Sequence, residues 1–450
     1  MQRTQVRNRR TRTWPTSSTH AAAIVCLLAS CSIVETALAQ WPQWGGPRRD
    51  FSCQATDLAD RWPADGPHKV WSREIGGGHS AIIVDGATLY TMCRRENQDA
   101  VLAIDTNTGR TIWETRYDAP TKPDMQLDFG CGPHATPLLA GDRLFTIGAM
   151  VQFRCLDKKT GKTLWSHDLI DEMGASHLGR GYGASPIAYK DLVIINIGSR
   201  DTGIAAFKQD TGEMAWKSGP FRGGYPSPVL TTINGEDHLI IALAGARAAL
   251  DPATGEVRWK VTVDRQSAGI MCTPLWIAPD KVFFSAAYGG GSRLFKITAK
   301  DGQYTADELW HCRKMKIMHG TAARVGDVVF GSSGDFGPTF LSAVNLETGK
   351  ILWRKRGFGK ANLLYADGKF IILDEKGELA LAKADAEGIE VLSQAKVLEQ
   401  RSWTVPTLVG PRLYLRDYQT IMALDLSEAA NRPSAAAAPS PLSSGQEVTR

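Results

Sequence analysis

Short segments rich in β-branched and aromatic residues recur along this chain, and a glycine-containing turn separates each from the next. Typical pairs are ATPLLAGDRLFTIG (135–148), TAARVGDVVFGSS (321–333) and VPTLVGPRLYLRD (405–417). Such segments are too short and too β-branched for helices, and the intervening turns favour hairpins. The pattern therefore predicts an all-β protein built from hairpins.

A second motif follows the hairpins, with an aspartate, a glycine and a tryptophan at regular spacing. The motif, small-x-Asp-x-x-x-Gly-x-x-x-Trp, recurs in AIDTNTGRTIW (103–113), CLDKKTGKTLW (155–165), AFKQDTGEMAW (206–216), ALDPATGEVRW (249–259) and AVNLETGKILW (343–353). KITAKDGQYTADELW (296–310) carries an insertion, and AKADAEGIEVL (382–392) ends in leucine. The glycine allows positive φ in a turn between two strands, and Asp and Thr side chains can bond the amides of that turn.

The motif glycines recur every 39 to 52 residues between Gly109 and Gly388, which is the size of one four-stranded propeller blade. We predict eight blades over residues 68–428, whose first strands begin near His79, His134, Gly183, Tyr225, Met271, His319, Ala361 and Thr404. The last blade lacks its own Gly-x-x-x-Trp strand, so an N-terminal strand, HKVWSREI (68–75), is predicted to complete it. One tryptophan per blade is expected to dock against the neighbouring blade: Trp71, Trp113, Trp165, Trp216, Trp259, Trp310 and Trp353.

The ends of the chain differ from the repeats. Residues 1–39 have a basic start, the apolar stretch AAAIVCLLASCSIV (21–34) and the small-x-small site Ala37-Leu38-Ala39, as in an export signal peptide. An alternative is a lipobox ending at Cys31, which would leave a lipid anchor there. Residues 40–67 are expected to pack on the propeller through Trp41 and Trp44, and residues 429–450 are expected to form a disordered tail.

Charge excludes one class of partner. The formal charge of +5 falls to +1 without residues 1–39, which hold five arginines and one glutamate. A nearly neutral mature chain has no electrostatic footprint for nucleic acid. No later segment is long and apolar enough for a transmembrane span, and we expect a monomeric propeller in the periplasm or at the outer-membrane periphery of a Gram-negative-type bacterium.

The repeat resembles that of the PQQ-like propeller family, over about residues 68–428. The family includes quinoprotein dehydrogenases, which hold pyrroloquinoline quinone and calcium on the propeller axis, and exported propellers such as the outer-membrane assembly factor BamB, which bind proteins. The dehydrogenases carry two adjacent cysteines over the quinone, and no two cysteines are adjacent here. The resemblance thus implies an exported, non-enzymatic scaffold with an envelope protein partner and no required cofactor. The alternative is a quinoprotein oxidoreductase that uses the quinone and calcium.

Two groups of residues are candidates for the site, since ligands and partners are expected at the axial mouth and its long loops. His79, His134 and His319 fall at equivalent positions in three blades and are candidate metal ligands. The same reasoning gives candidate ligand- or partner-binding residues: His177, Arg180, Tyr182, Tyr225 and Trp403.

Overall fold

A computed structural model describes residues 41–263, 272–334 and 337–432. Within these residues, 32 strands form eight four-stranded antiparallel sheets, which confirms the predicted eight-bladed propeller. The export signal, Cys31, Met271 and residues 433–450 of the tail lie outside the described residues. In the described part of the chain, no helix is long and apolar enough to cross a membrane.

The first four blades follow one another along the chain. Blade one comprises β2 (Ile83–Asp85), β3 (Thr88–Arg95), β4 (Gln98–Asp105) and β5 (Thr111–Asp118). Blade two comprises β6 (Leu138–Ala140), β7 (Arg143–Ile147), β8 (Gln152–Asp157) and β9 (Thr163–Asp168), followed by helix α1 (Leu169–Met173). Blade three comprises β10 (Ile187–Tyr189), β11 (Leu192–Asn196), β12 (Ile204–Lys208) and β13 (Met214–Ser218). Blade four comprises β14 (Val229–Ile233), β15 (Glu236–Leu243), β16 (Ala246–Leu250) and β17 (Val257–Thr262).

The remaining blades return the chain to its start. Blade five comprises β18 (Leu275–Ile277), β19 (Lys281–Ala286), β20 (Gly291–Lys300) and β21 (Gln303–Cys312). Blade six comprises β22 (Ile317–Val325), β23 (Val328–Ser333), β24 (Phe340–Asn345) and β25 (Ile351–Arg356). Blade seven comprises β26 (Asn362–Ala366), β27 (Lys369–Leu373), β28 (Glu378–Ala384) and β29 (Ile389–Lys396). Blade eight comprises β30 (Thr407–Val409), β31 (Arg412–Arg416), β32 (Thr420–Asp425) and β1 (His68–Glu74), and helix α2 (Glu428–Asn431) ends the described chain.

The N-terminal strand closes the ring, as predicted. β1 is the outermost strand of blade eight and pairs antiparallel with β32, from His68 opposite Asp425 to Glu74 opposite Thr420. This closure pairs the two ends of the repeat region, so blade eight has the same four strands as the others.

The tryptophans predicted to dock between blades lie where one blade meets the next. Six of them donate their Nε1 hydrogen to a backbone carbonyl of the Asp–Gly turn of the following blade, at 2.8 to 3.2 Å. These are Trp71, Trp113, Trp165, Trp216, Trp310 and Trp353, bonded in that order to Thr106, Lys158, Gln209, Pro252, Leu346 and Asp385. The indole rings of the first five also cover the turn glycine, which explains why a residue without a Cβ stands there.

Trp259 differs from the other six. It is 4% exposed, and its Nε1 is buried without a hydrogen-bond partner in the described residues. The insertion in blade five lengthens the hairpin of β20 and β21, so that a Cβ added at its turn glycine, Gly302, would meet no atom within 4 Å. The turn that should receive Trp259 is therefore out of its reach.

The segment before β1 lies against the inner strands of several blades. Trp41 pairs with Val84 of blade one through two backbone hydrogen bonds of 2.9 Å. The Trp44 Nε1 donates to Thr273 Oγ1 of blade five at 2.8 Å, and Ser52 forms a backbone bridge to Tyr365 of blade seven. Inner strands converge on the propeller axis, so this segment occupies the axial region between them.

Candidate functional site

Trp403 is the centre of an aromatic cluster at the axial mouth. Its ring stacks on His319, with centroids 4.1 Å apart and an interplanar angle of 12°. His79 and Phe129 lie against the same ring at 5.3 Å, the latter edge-on. The segments that carry these residues lead into the inner strands of blades eight, six, one and two, so the blades bring together residues far apart in the sequence.

The three predicted histidines share this mouth but contact different partners. His79 stacks on His134 with centroids 5.7 Å apart, and His134 Nε2 is 2.9 Å from the Arg180 carbonyl oxygen. Both ring nitrogens of His79 are buried and have no hydrogen-bond partner in the described residues. His319 instead packs on Trp403.

All three histidines are held in the neutral form. Burial lowers the pKa of His79 well below its usual range, and the neighbouring His134 and Arg416 lower it further. Burial, followed by the charge of Lys360, lowers the pKa of His319 to about 3. Burial also lowers the pKa of His134, although its contact with the Arg180 carbonyl works in the opposite direction. The cause common to all three is removal from water, which disfavours the charged imidazolium.

Two arginines flank the exposed ring of Phe129. The guanidinium carbon of Arg180 lies 4.7 Å from the ring centroid and that of Arg401 lies 4.6 Å from it. Arg401 also lies 4.8 Å from the centroid of Trp403. Phe129 is 38% exposed, so this cluster of an aromatic ring between two cations faces solvent.

Further positive charge lies at the edge of the mouth and beneath it. Lys360 is 5.8 Å from the Trp403 centroid and pairs with Glu375 at 3.1 Å, and Glu375 also accepts from Trp403 Nε1 at 3.3 Å. Arg416 is fully buried and donates to the Met92 carbonyl at 2.7 Å. Burial lowers the pKa of Arg416 to about 10, so the group remains charged at neutral pH.

The proposed metal-binding role of His79, His134 and His319 remains a prediction that this arrangement does not favour. Among the described residues, no group of three or more His, Cys, Asp or Glu side chains is placed to hold a metal ion. His319 is engaged with Trp403, while His79 stacks on His134. Arginine and lysine side chains, which repel a cation, surround them.

The residues predicted to bind a ligand or partner divide between the surface and the core. Arg180 and Trp403 belong to the cluster around Phe129. His177 lies in the same long loop as Arg180, with its Nε2 3.5 Å from Asp124 Oδ1. Tyr225 donates its hydroxyl to the Leu178 carbonyl, which ties that loop to blade four. Tyr182 is 1% exposed and donates to the Asn196 carbonyl at 2.7 Å, so its side chain belongs to the core between blades two and three.

Phe129 and Arg401 were missed by reasoning from the sequence. Phe129 follows Asp128 in the long loop after blade one, and Arg401 stands two residues before Trp403. The signal that could have found them was an exposed aromatic residue in a long loop and a cation beside a tryptophan. Neither signal gives the pairing, because the two residues meet only when blades one and eight are brought together.

The eight four-stranded blades and the repeated tryptophan docking motif define a PQQ-like repeat propeller. The family model described as outer membrane protein assembly factor BamB matches residues 60–200 and 200–328. The chain belongs to this family, as the repeat motif predicted.

Relatives include an outer membrane protein assembly factor and alcohol dehydrogenases. The chain is 23% identical to the outer membrane protein assembly factor BamB of Yersinia pestis over 297 residues, which are 63% of this chain and 72% of that protein. It is 28% identical to the quinohemoprotein alcohol dehydrogenase ADH IIB of Pseudomonas putida over 123 residues, which are 26% of this chain and 17% of that enzyme.

Solved structures share the fold. BamB from Moraxella catarrhalis superposes with a TM-score of 0.56 at 18% identity, covering 79% of this chain and 97% of that one. A europium-containing methanol dehydrogenase superposes with a TM-score of 0.63 at 14% identity, covering 84% of this chain and 89% of that one. At these identities, the superpositions establish the architecture alone.

The mouth does not fit pyrroloquinoline quinone with calcium. The ring of Trp403, the surface on which a planar quinone would stack, has His319 on it at 4.1 Å and the Arg401 guanidinium at 4.8 Å. A calcium ion requires several oxygen ligands, most often including carboxylates. The carboxylate that contacts Trp403, Glu375, is already paired with Lys360. We therefore derive no reaction through this cofactor.

Proposed function

We propose that this protein is an exported, non-catalytic propeller that binds a protein partner in the bacterial envelope through the face around its axial mouth. The observation that carries the proposal is the exposed ring of Phe129 between Arg180 and Arg401. Aromatic and arginine residues are the types most enriched at the energetic centres of protein interfaces. The family match to BamB supports the same class of function.

Contacts on several sides hold the side chains of Trp403 and Phe129 in place, which favours their use as binding residues. Trp403 is held by His319, by a hydrogen bond to Glu375, and by a bond from Asn362 Nδ2 to its carbonyl at 3.0 Å. Phe129 packs on this fixed ring. A preorganised anchor loses little conformational entropy on binding, so more of the contact energy contributes to affinity.

Photo-crosslinking in cells tests this proposal. A photoreactive residue replaces Phe129, and a matched control replaces Ile112, which is 52% exposed on the outer strand of blade one. We expect one defined protein to crosslink at position 129 but not at 112, and to be lost with Trp403→Ala. Absence of a position-specific product would overturn the proposal, and so would substrate turnover by the purified protein.

Export forms a separate part of the proposal. Residues 1–39 carry the features of a signal peptide, with lipidation at Cys31 as the alternative route. Cell fractionation of the full chain and of Cys31→Ala distinguishes them. A soluble periplasmic product from both chains indicates cleavage of the signal peptide. Release from the membrane only in Cys31→Ala indicates a lipid anchor. A cytoplasmic product contradicts export.

A further inference from the structure

Arg180 and Arg401 have no carboxylate partner among the described residues, although they lie on one exposed ring. Their guanidinium groups contact Phe129 at 4.7 and 4.6 Å, and Arg401 also contacts Trp403. Arg180 Nη1 is buried and has no hydrogen-bond partner in the described part of the chain. Burying such a donor without a partner is costly, so a ligand that accepts from it would gain stability.

Two further cationic side chains lie near these arginines. Lys360 lies at the edge of the mouth and Arg416 beneath it, and both act with Arg180 and Arg401 to disfavour charge on the histidines. Glu375, which contacts Trp403, is already engaged by Lys360. Four cationic side chains close together attract ligands of the opposite sign and steer their approach.

We infer that the partner contacts this mouth with an acidic segment, in which an Asp or Glu carboxylate is bound by Arg180 and Arg401. An adjacent apolar side chain of that segment would lie on Phe129 and on Leu127, which is 39% exposed in the same loop. Arginine binds carboxylates through paired, charge-assisted hydrogen bonds, which are stronger than neutral ones. The inference rests on the proposed function, since it names the chemistry of the partner at the same face.

Peptide binding in solution tests the inference. The probe is a fluorescent peptide in which Asp alternates with Phe and Leu, and the matched probe has Asn in place of every Asp. Fluorescence anisotropy with the mature protein should show binding of the acidic peptide alone. Arg180→Ala and Arg401→Ala should each weaken binding about tenfold, as expected for loss of a charged hydrogen bond.

Arg110→Ala is the matched control. Arg110 is an exposed arginine in the turn between β4 and β5, at the opposite end of the strands from the loops that join the blades. The Arg110→Ala variant should bind the acidic peptide with unchanged affinity. Charge reversal provides a second control against misfolding, because Arg401→Glu should lose the acidic peptide and bind the same peptide with Lys in place of Asp.

Three outcomes would overturn the inference. These are equal binding of the acid and amide peptides, unchanged affinity in both arginine variants, and binding of phosphatidylglycerol vesicles through these arginines without any preference for the acidic peptide. If the peptides fail but crosslinking at Phe129 still finds a partner, the proposed function stands and only the acidic chemistry is wrong. If crosslinking also fails, the proposed function falls too.

Discussion

The indole of Trp71 lies on the backbone of Gly109 and donates its Nε1 hydrogen to the Thr106 carbonyl at 2.8 Å. Trp71 belongs to the N-terminal strand of blade eight, and Gly109 to the third turn of blade one. The contact therefore joins the two ends of the repeat region. The same tryptophan contact that joins consecutive blades therefore also joins blade eight to blade one.

Gly109→Ala should destabilise the protein more than its φ angle alone explains. Gly109 has a φ of +69°, and an added Cβ would lie 2.7 Å from Trp71 Cδ2. Backbone strain in this region costs about 1 kcal/mol or more, and overpacking adds about 1 to 3 kcal/mol. Gly141→Ala is the control, because Gly141 has a φ of +59° and no atom within 4 Å of an added Cβ. Equal losses of unfolding free energy in chemical denaturation would contradict the docking account.

Replacement of two tryptophans by phenylalanine should separate the hydrogen bond from ring packing. Trp113 donates to the Lys158 carbonyl at 3.1 Å, whereas the Nε1 of Trp259 is buried without a partner in the described residues. Trp113→Phe loses this hydrogen bond, at a cost of about 1 kcal/mol beyond the loss of ring volume, although the Tyr90 hydroxyl still donates to the Lys158 carbonyl at 3.1 Å. Trp259→Phe removes an unsatisfied donor and should cost less. Calorimetric unfolding of both variants measures the difference, and a larger loss at position 259 would contradict it.

His238 should make the protein less stable in acid. It is completely buried against Tyr304, and both ring nitrogens lack a partner in the described residues. Burial, followed by the charge of Arg258, lowers the pKa of His238 from 6.5 to about 4. The unfolded chain therefore binds more protons between these values, so this contribution to stability is present above pH 6.5 and is lost as the pH falls towards 4. The other charged groups that act on His238 are Glu236, Asp251 and Asp237.

His238→Phe keeps a ring against Tyr304 and removes the titrating group. Its melting temperature should match the native protein near neutral pH and exceed it near the lower end of that window. His68→Gln, at an exposed position of β1, serves as the control for the replacement of a histidine. Identical acid dependence in His238→Phe and the native protein would show that the loss arises elsewhere.

Affinity for an acidic peptide should change little between about pH 7.5 and about pH 6. Burial and neighbouring positive groups keep His79 and His319 neutral in the free protein. The pKa of His319 is about 3 and that of His79 lies well below its usual range, so neither gains a proton in this window. The arginines and a peptide Asp stay ionised throughout it. The charged and titratable groups that face these two histidines are His134, Arg180, Lys360, Arg401 and Arg416. Anisotropy titrations of the native protein and of His79→Phe should give the same nearly flat profile, and an affinity of the native protein that rises steeply as the pH falls would contradict neutral histidines at this mouth.

The propeller could be predicted from the sequence because each blade repeats the same local physics. A pair of strands, a turn with a glycine and a docking tryptophan recur with the spacing of a four-stranded propeller blade. Closure by residues 68–74 could be predicted because the last blade had only three strands of its own and the N-terminal strand belonged to no other blade. The exceptional Trp259 was not foreseen, because the effect of the insertion in blade five depends on where the longer hairpin places its turn.

The candidate site could be predicted only in part. Equivalent positions in the repeat placed His79, His134 and His319 at one mouth, together with Trp403. The repeat does not encode which side chains fill the space between them, so the contact of Phe129 with Arg401 across blades one and eight had no sequence signal. Tyr182 was placed on the surface because it lies in a long loop, but its ring turns into the core and its hydroxyl finds a backbone carbonyl there.

A calorimetric titration of residues 40–450 with pyrroloquinoline quinone and calcium tests most directly the claim that the mouth binds a protein and not a quinone. We expect no stoichiometric binding, because His319 and Arg401 lie on Trp403 and, among the described residues, no cluster of three or more His, Cys, Asp or Glu side chains is placed to hold a metal ion. Tight stoichiometric binding that Trp403→Ala abolishes would contradict the account. It would make this mouth a quinone site and the protein an oxidoreductase.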